Sequence, residues 1–186
     1  MKNNLAVIIL AAGKGTRMDS ELPKVLHLID DEPMILKVLK SSYKINANPI
    51  ITIVGYKSQL VMETLKNENT EFALQKQQNG TAHAVIQCKD QLKNFNGDVL
   101  ILSGDVPFIS SETLKLLIET HTHSKSKATV LTCKLDNPYG YGRIIKNTDN
   151  TLKKIIEHKD ATDNELKECE INTGIYIFDC SKLFEI

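Results

Sequence analysis

Three short stretches of the 186-residue sequence gather residue types suited to phosphate, metal and base chemistry. In the first, Ala11-Ala-Gly-Lys-Gly-Thr-Arg17, two glycines let a backbone approach a ligand closely, and Arg17 with the following Lys24 carries charge suited to phosphate oxygens. It lacks the third glycine of the dinucleotide fingerprint and the Gly-Lys-Ser/Thr ending of a P-loop, so neither of those motifs fits. Read alone, it is also a glycine turn with solvated Lys14 and Arg17. The second stretch, Gln75-Lys-Gln-Gln-Asn-Gly-Thr81, offers amides and a hydroxyl able to read a base edge. Gly80 there allows backbone contact and Thr81 opens a helix, although turn and cap roles explain the same residues. The third, Gly104-Asp105-Val-Pro107, sets a carboxylate directly behind an apolar strand, where a hard cation such as magnesium can be held together with phosphate oxygens. A turn-forming aspartate ahead of Pro107 is the alternative.

These stretches can act together only if the chain folds to bring them together. Leu5–Leu10, Ile50–Val54 and Asp98–Ser103 are continuously apolar or nearly so, as expected of strands covered on both faces in a parallel sheet. Between them, Asp31–Pro33 opens a helix with Met34, Ile35, Val38 and Leu39 at helical spacing; Ser58–Leu65 and Thr81–Leu92 read as further helices, and Phe72–Leu74 as a strand. This alternation predicts an α/β, Rossmann-like fold with a mostly parallel mixed sheet flanked by helices. Ligands of such sheets bind beyond the carboxyl ends of the strands, which is where all three stretches fall. From Ala128 the texture changes: Ala128–Leu135, Arg143–Lys146, Leu152–Glu157 and Glu170–Phe178 read as strands between turn residues, antiparallel additions that widen the sheet and wall a pocket. Asp179–Ile186 reads as the first turns of a helix capped by Asp179 or Ser181, and the chain is expected to be cut short at its C-terminus.

Lys plus Arg and Asp plus Glu number 23 each, so no global field draws the protein to nucleic acid or an anionic membrane, and any phosphate binding must be local. At this length, with 41% hydrophobic residues, one domain is the expectation. Cys88, Cys133, Cys169 and Cys180 show neither a CxxC pair nor metal spacing, which suits small core or surface thiols in a reducing cytoplasm. His121-x-His123 lies in a Thr/Ser/Lys-rich stretch without acidic or cysteine partners and is expected to be solvated loop. The apolar run Leu5–Ala12 after Met1-Lys2 resembles a secretory signal but sits at the short limit for one and is followed at once by Gly13-Lys14-Gly15-Thr16-Arg17, which argues against that reading, and no run reaches the length of a membrane span.

The motifs together carry a family resemblance. Leu10-Ala-Ala-Gly-Lys-Gly-Thr-Arg-Met18, Leu22-Pro-Lys-Val-Leu-His27, Gln75 with Asn79-Gly-Thr-Ala-His-Ala84, and Ser103-Gly-Asp-Val-Pro107 stand in the order found in bacterial N-acetylglucosamine-1-phosphate uridyltransferases. Tyr139-Gly-Tyr-Gly-Arg143, Glu157-His-Lys-Asp-Ala-Thr162 and Glu170-Ile-Asn-Thr-Gly174 continue that resemblance, which covers about Leu5 to Phe178. It implies the nucleotidyltransferase fold and a cytoplasmic enzyme that joins UTP to N-acetylglucosamine 1-phosphate with Mg2+, for peptidoglycan and lipopolysaccharide precursors. It further implies that Leu10, Ala11, Ala12, Gly13, Lys24, Gln75, Gly80, Thr81, Ser103, Gly104 and Asp105 hold the nucleotide. Arg17, Lys24 and Asp105 would be catalytic, with Asp105 the metal ligand, while Gly142, Glu157 and Asn172 would hold the sugar. The family's second metal ligand, an asparagine, and its homo-oligomer contacts are expected beyond Ile186, and its acetyltransferase β-helix domain is not in this sequence. Two other readings stay open: a nucleotide-sugar binding module without turnover, and a sister enzyme for another sugar phosphate or a cytidine nucleotide.

Overall fold

A strand apolar on both sides needs cover on both sides, and the first strand has it: Ala6, Val7, Ile8 and Ile9 are each fully buried. The structure is a computed structural model that describes residues 4–15 and 18–185. In chain order its elements are β1 (Leu5–Ala11), β2 (Leu28–Ile29), β3 (Glu32–Pro33), α1 (Met34–Tyr43), β4 (Ile50–Val54), α2 (Ser58–Thr64), β5 (Glu71–Leu74), α3 (Thr81–Ile86), α4 (Lys89–Leu92), β6 (Asp98–Ser103), α5 (Ser111–Ser124), β7 (Ala128–Lys134), β8 (Arg143–Lys146), β9 (Leu152–Ile156), β10 (Glu170–Asp179) and α6 (Cys180–Leu183). Single 3₁₀ turns lie at Lys24–Leu26, His158–Asp160 and Glu165–Lys167. By packing, the chain divides into two units, one running to Thr129 and resuming at Tyr176, the other Val130–Ile175.

In the first unit the strand order is β5-β4-β1-β6-β10. The pairs β5/β4, β4/β1 and β1/β6 are parallel, and the end of β10 runs antiparallel to β6. This is the mostly parallel, mixed, Rossmann-like sheet that the alternation of apolar strands and helical segments predicts. Strand alternation sends Ala6, Ile8, Val99 and Ile101 to one face, where they cluster with Ala84 and Val85 of α3, Leu92 of α4, and Cys180 and Leu183 of α6. Their neighbours Val7, Ile9, Leu100 and Leu102 point the other way and are equally buried, as are Ile35, Val38 and Leu39 on α1 and Leu114 and Leu117 on α5. In the second unit, β8 pairs antiparallel with β9 and, through Arg143 and Ile171, with the start of β10. The expected antiparallel texture after Ala128 is therefore present.

Three expectations need correction. Asp31–Pro33 does not open α1: β2 and β3 form a small hairpin, and Asp30 and Asp31 turn it with φ of 51° and 61°, the positive pair of a type I′ turn. Pro33 then serves as the N-cap and the helix starts at Met34. The Thr81–Leu92 segment is two helices, because Gln87 and Cys88 bond back three residues to Ala84 and Val85 and so end the first turn set. The His121-x-His123 pair is not solvated loop; it lies in the last turns of α5. Ser110 caps this helix by accepting from the Thr113 amide at 3.1 Å. His121, 3% exposed, takes the core position after Leu114 and Leu117, with Nδ1 2.8 Å from Thr129 Oγ1 and Nε2 3.5 Å from Asp98 Oδ1.

The cysteines divide as expected into buried Cys88 and Cys180 and exposed Cys133 and Cys169. Burial pushes the Cys88 thiol up to about 12, far from thiolate chemistry. At the C-terminal end Asp179 is the cap of α6, accepting from the Ser181 amide at 3.0 Å. Among the described residues no helix is long and apolar enough to cross a membrane. Since Ile53 is fully buried in the cluster between β4 and its helices, Ile53→Ala is expected to cost about 2–5 kcal/mol in a urea titration. A loss under about 1 kcal/mol would mean that this layer is not close-packed.

Candidate functional site

Parallel pairing fixes where the loops go. Ala11 pairs with Val54 and Val54 with Leu74, while Leu10 pairs with Ser103, so β1, β4, β5 and β6 end in a row along one edge. The three chemistry-bearing loops leave that edge together, and a cavity of about 750 Å³ opens there. Leu10, Ala11, Ala12, Gly13, Gln75, Gly80, Thr81, Ser103, Lys24 and Asp105 all line it. Gly104 stands behind the lining and donates its amide to Leu10 O at 2.9 Å, tying the end of β6 to the end of β1. Arg17 lies outside the described residues. Lys14, Gly15, Met18, Val25, Gln78 and Ala84 complete the wall. Gln78 and Ala84 sit within motifs visible in the sequence, but their side-chain direction is not.

The loops are held by contacts with physical causes. The 3₁₀ turn at Lys24–Leu26 buries Val25 and Leu26, which anchors Lys24 at the cavity wall. Ala12 O accepts from Tyr56 N at 3.0 Å, and a side chain on Gly55 would meet Ala12 O and Gln78 Nε2 at 2.9 Å each. Gly55 is thus needed for the close approach of the first and second loops, a role that the sequence reading missed. Gly80 precedes α3 with φ of 96°, where no neighbour would crowd a side chain, so glycine is required there by conformation alone. Gln75 is 3% exposed, and its Nε2 lies 3.1 Å from both Gly80 O and His83 Nδ1.

Besides Lys14, the charged part of the wall is a lysine–aspartate pair. Lys24 Nζ lies 2.6 Å from Asp105 Oδ2. Burial pushes the Asp105 carboxyl up, but the Lys24 ammonium and the Ser103 hydroxyl beside it more than offset this and hold it below the ordinary carboxylate value. A group held low stabilises the folded state above its unfolded pKa of about 3.9 and loses that contribution as pH falls through the folded value. Among the described residues no three His, Cys, Asp or Glu side chains group as a ready metal cage.

In the second unit the three residues expected at the sugar come together. Gly142 O accepts from Asn172 N at 2.9 Å, and a side chain on Gly142 would come 3.4 Å from Glu157 Oε1. Asn172 Oδ1 accepts from Gly174 N at 3.0 Å within β10. Beside them Arg143, only 2% exposed, donates to Tyr141 O and has Nη2 3.4 Å from His158 Nδ1. The His158 ring meets Tyr139 edge-on with centroids 4.5 Å apart. The sequence motif names Arg143 but does not reveal its burial.

Such a layer, with its cavity at the carboxyl edge of parallel strands, is Rossmann-like. The nucleotidyl transferase family model matches residues 6–186, and the chain belongs to that family. It is 49% identical over 178 residues to the bifunctional protein GlmU of Streptococcus uberis, covering 96% of this chain and 39% of that protein. Against the bifunctional protein GlmU of Streptococcus suis it is 49% identical over 185 residues, 100% of this chain and 40% of that one. The chain thus spans about two fifths of the length of these curated relatives. In fold it is similar to a crystal structure from Bacillus anthracis assigned as a glucose-1-phosphate thymidylyltransferase, with a TM-score of 0.80, 24% identity, and coverage of 96% of this chain and 73% of that one. HddC from Yersinia pseudotuberculosis gives a TM-score of 0.75 at 20% identity, covering 97% and 79%.

Replacing Lys24 by methionine leaves burial to act on Asp105 without its main opponent. Lys24→Met is expected to raise the Asp105 pKa, read from the carboxyl ¹³C shift in an NMR titration. An unmoved midpoint would show that the pair does not set this carboxylate.

Proposed function

We propose that the chain carries uridylyl transfer, taking UTP and N-acetyl-α-D-glucosamine 1-phosphate to UDP-N-acetylglucosamine and pyrophosphate, and that residues 1–186 form its nucleotidyltransferase domain. The observation that carries this reading is the gathering of Leu10–Gly13, Lys24, Gln75, Gly80, Thr81, Ser103 and Asp105 on one cavity wall in a member of the nucleotidyl transferase family. The identity to the GlmU proteins supports this choice of substrates within that family. The uncharged members, Gln75, Gly80 and Thr81, suit the base. Lys24, with Arg17 earlier in the sequence, suits the triphosphate.

A divalent cation, Mg2+, fits Asp105. A single carboxylate is a poor all-protein cage but an ordinary magnesium contact, because that ion is commonly held by one or two carboxylates and the substrate's own phosphates. Held there, the ion would supply charge neutralisation at the phosphates. Asp105 is ready for it, since Lys24 and Ser103 already keep its carboxyl ionised. No enzyme nucleophile is needed. The sugar phosphate oxygen attacks the α-phosphorus in line and pyrophosphate leaves, with Lys24 and Arg17 stabilising the charge that develops. Gly142, Glu157 and Asn172 hold the acetylated sugar, Glu157 and Asn172 offering an acceptor and an amide to its hydroxyl and acetamido groups.

A coupled pyrophosphate assay with UTP, the sugar phosphate and Mg2+ tests the reading. Arg17→Ala is expected to lower turnover by ~10²–10³, the usual worth of a preorganised donor in such a site. Asp105→Ala and chelation of the cation are expected to suppress turnover as well. Full pyrophosphate release by both alanine variants would remove these roles, and nucleotide binding without any release would mark a binding module instead.

A further inference from the structure

We infer that His83 is a positioning residue that sets base selectivity, by fixing which end of the Gln75 amide faces the nucleobase. The inference rests on the nucleotide placement proposed above and extends it to a residue outside the cavity lining.

An amide at a buried position can present its oxygen or its nitrogen, and only its other partners decide which. Gln75 is 3% exposed and lines the cavity. One atom of its amide lies 3.1 Å from the Gly80 carbonyl oxygen, which can only accept, so that atom must be Nε2. The same Nε2 lies 3.1 Å from His83 Nδ1, and an amide nitrogen can only donate. Gln87 Nε2 lies farther, 3.4 Å from His83 Nε2, so the shorter contact assigns Nδ1 as the unprotonated ring nitrogen and engages both hydrogens of Gln75 Nε2 within the protein. His83 lies in α3, and Gln87 donates its Nε2 to the His83 carbonyl oxygen at 2.9 Å.

With both donors engaged, what Gln75 can offer a ligand is the acceptor Oε1. Uracil carries a hydrogen on N3 at its pairing edge and satisfies such an acceptor. Cytosine carries a lone pair at N3, which places two acceptors face to face, and an unpaired buried acceptor is costly. Removing the His83 lone pair frees one Nε2 hydrogen and leaves Gly80 O alone to hold the amide, which can then turn to accommodate either base. His83 touches neither base nor phosphate in this account and acts only through Gln75.

The test is calorimetric binding of UTP and of CTP, each with Mg2+, to the wild-type chain, His83→Leu and His83→Asn. The leucine variant keeps side-chain bulk without an acceptor, and asparagine restores an acceptor oxygen near the place of Nδ1. The wild type is expected to prefer UTP, the leucine variant to lose about tenfold of that preference, and the asparagine variant to regain it, tenfold being the worth of one net hydrogen bond. A folded leucine variant that keeps the wild-type UTP:CTP ratio, including one weakened equally toward both, overturns the role of His83 and leaves the nucleotide placement standing. A wild type without preference overturns the base placement itself. Imidazole ¹⁵N shifts of the wild-type protein provide a check that needs no variant: the Nε2–H tautomer is expected at His83, and an Nδ1–H tautomer overturns the inference.

Discussion

The structure depends on the parallel alignment of β1 with β4 on one side and β6 on the other. Parallel neighbours cannot be joined by a short hairpin, so each strand is followed by a helical connection before the next arrives pointing the same way. Every loop that follows such a strand then leaves from one edge. The cavity is a consequence of this directionality, since the order β5-β4-β1-β6 reverses beside β1 and parts the connecting helices to either face.

Upon that edge the polar groups constrain one another. Asp105 stays ionised in a partly buried place because Lys24 and Ser103 face it, and Lys24 keeps its position because Val25 and Leu26 beside it are sunk into the core. Gln75 is likewise saturated on its donor side by Gly80 and His83. Groups fixed in this way do not have to be ordered when a ligand arrives, which lowers the cost of binding and sharpens what is accepted.

Much of this was legible in the residues. Continuous apolar β-branched runs announced β1, β4 and β6, and the three loops that follow strands announced the cavity wall, Lys24 and Asp105 included. What escaped was whatever depends on tertiary partners. The last turns of α5 carry Thr, His and Ser, which resemble loop until Leu114, Leu117 and His121 are seen to share a buried stripe. The aspartates before Pro33 resemble a helix start, whereas Asp30 and Asp31 take the positive φ of a two-residue turn and so close a hairpin. The close family motifs pointed to Gly142, Glu157 and Asn172, which do meet within their unit, but no local pattern could reveal that Arg143 beside them is buried.

Gly55 keeps the first loop seated on the end of β4. With Ala12 Cβ and Ala12 O each 2.9 Å from the place where its side chain would be, any larger residue there drives Ala12 off its seat. A residue of the cavity wall thus owes its position to a strand end that does not itself line the cavity.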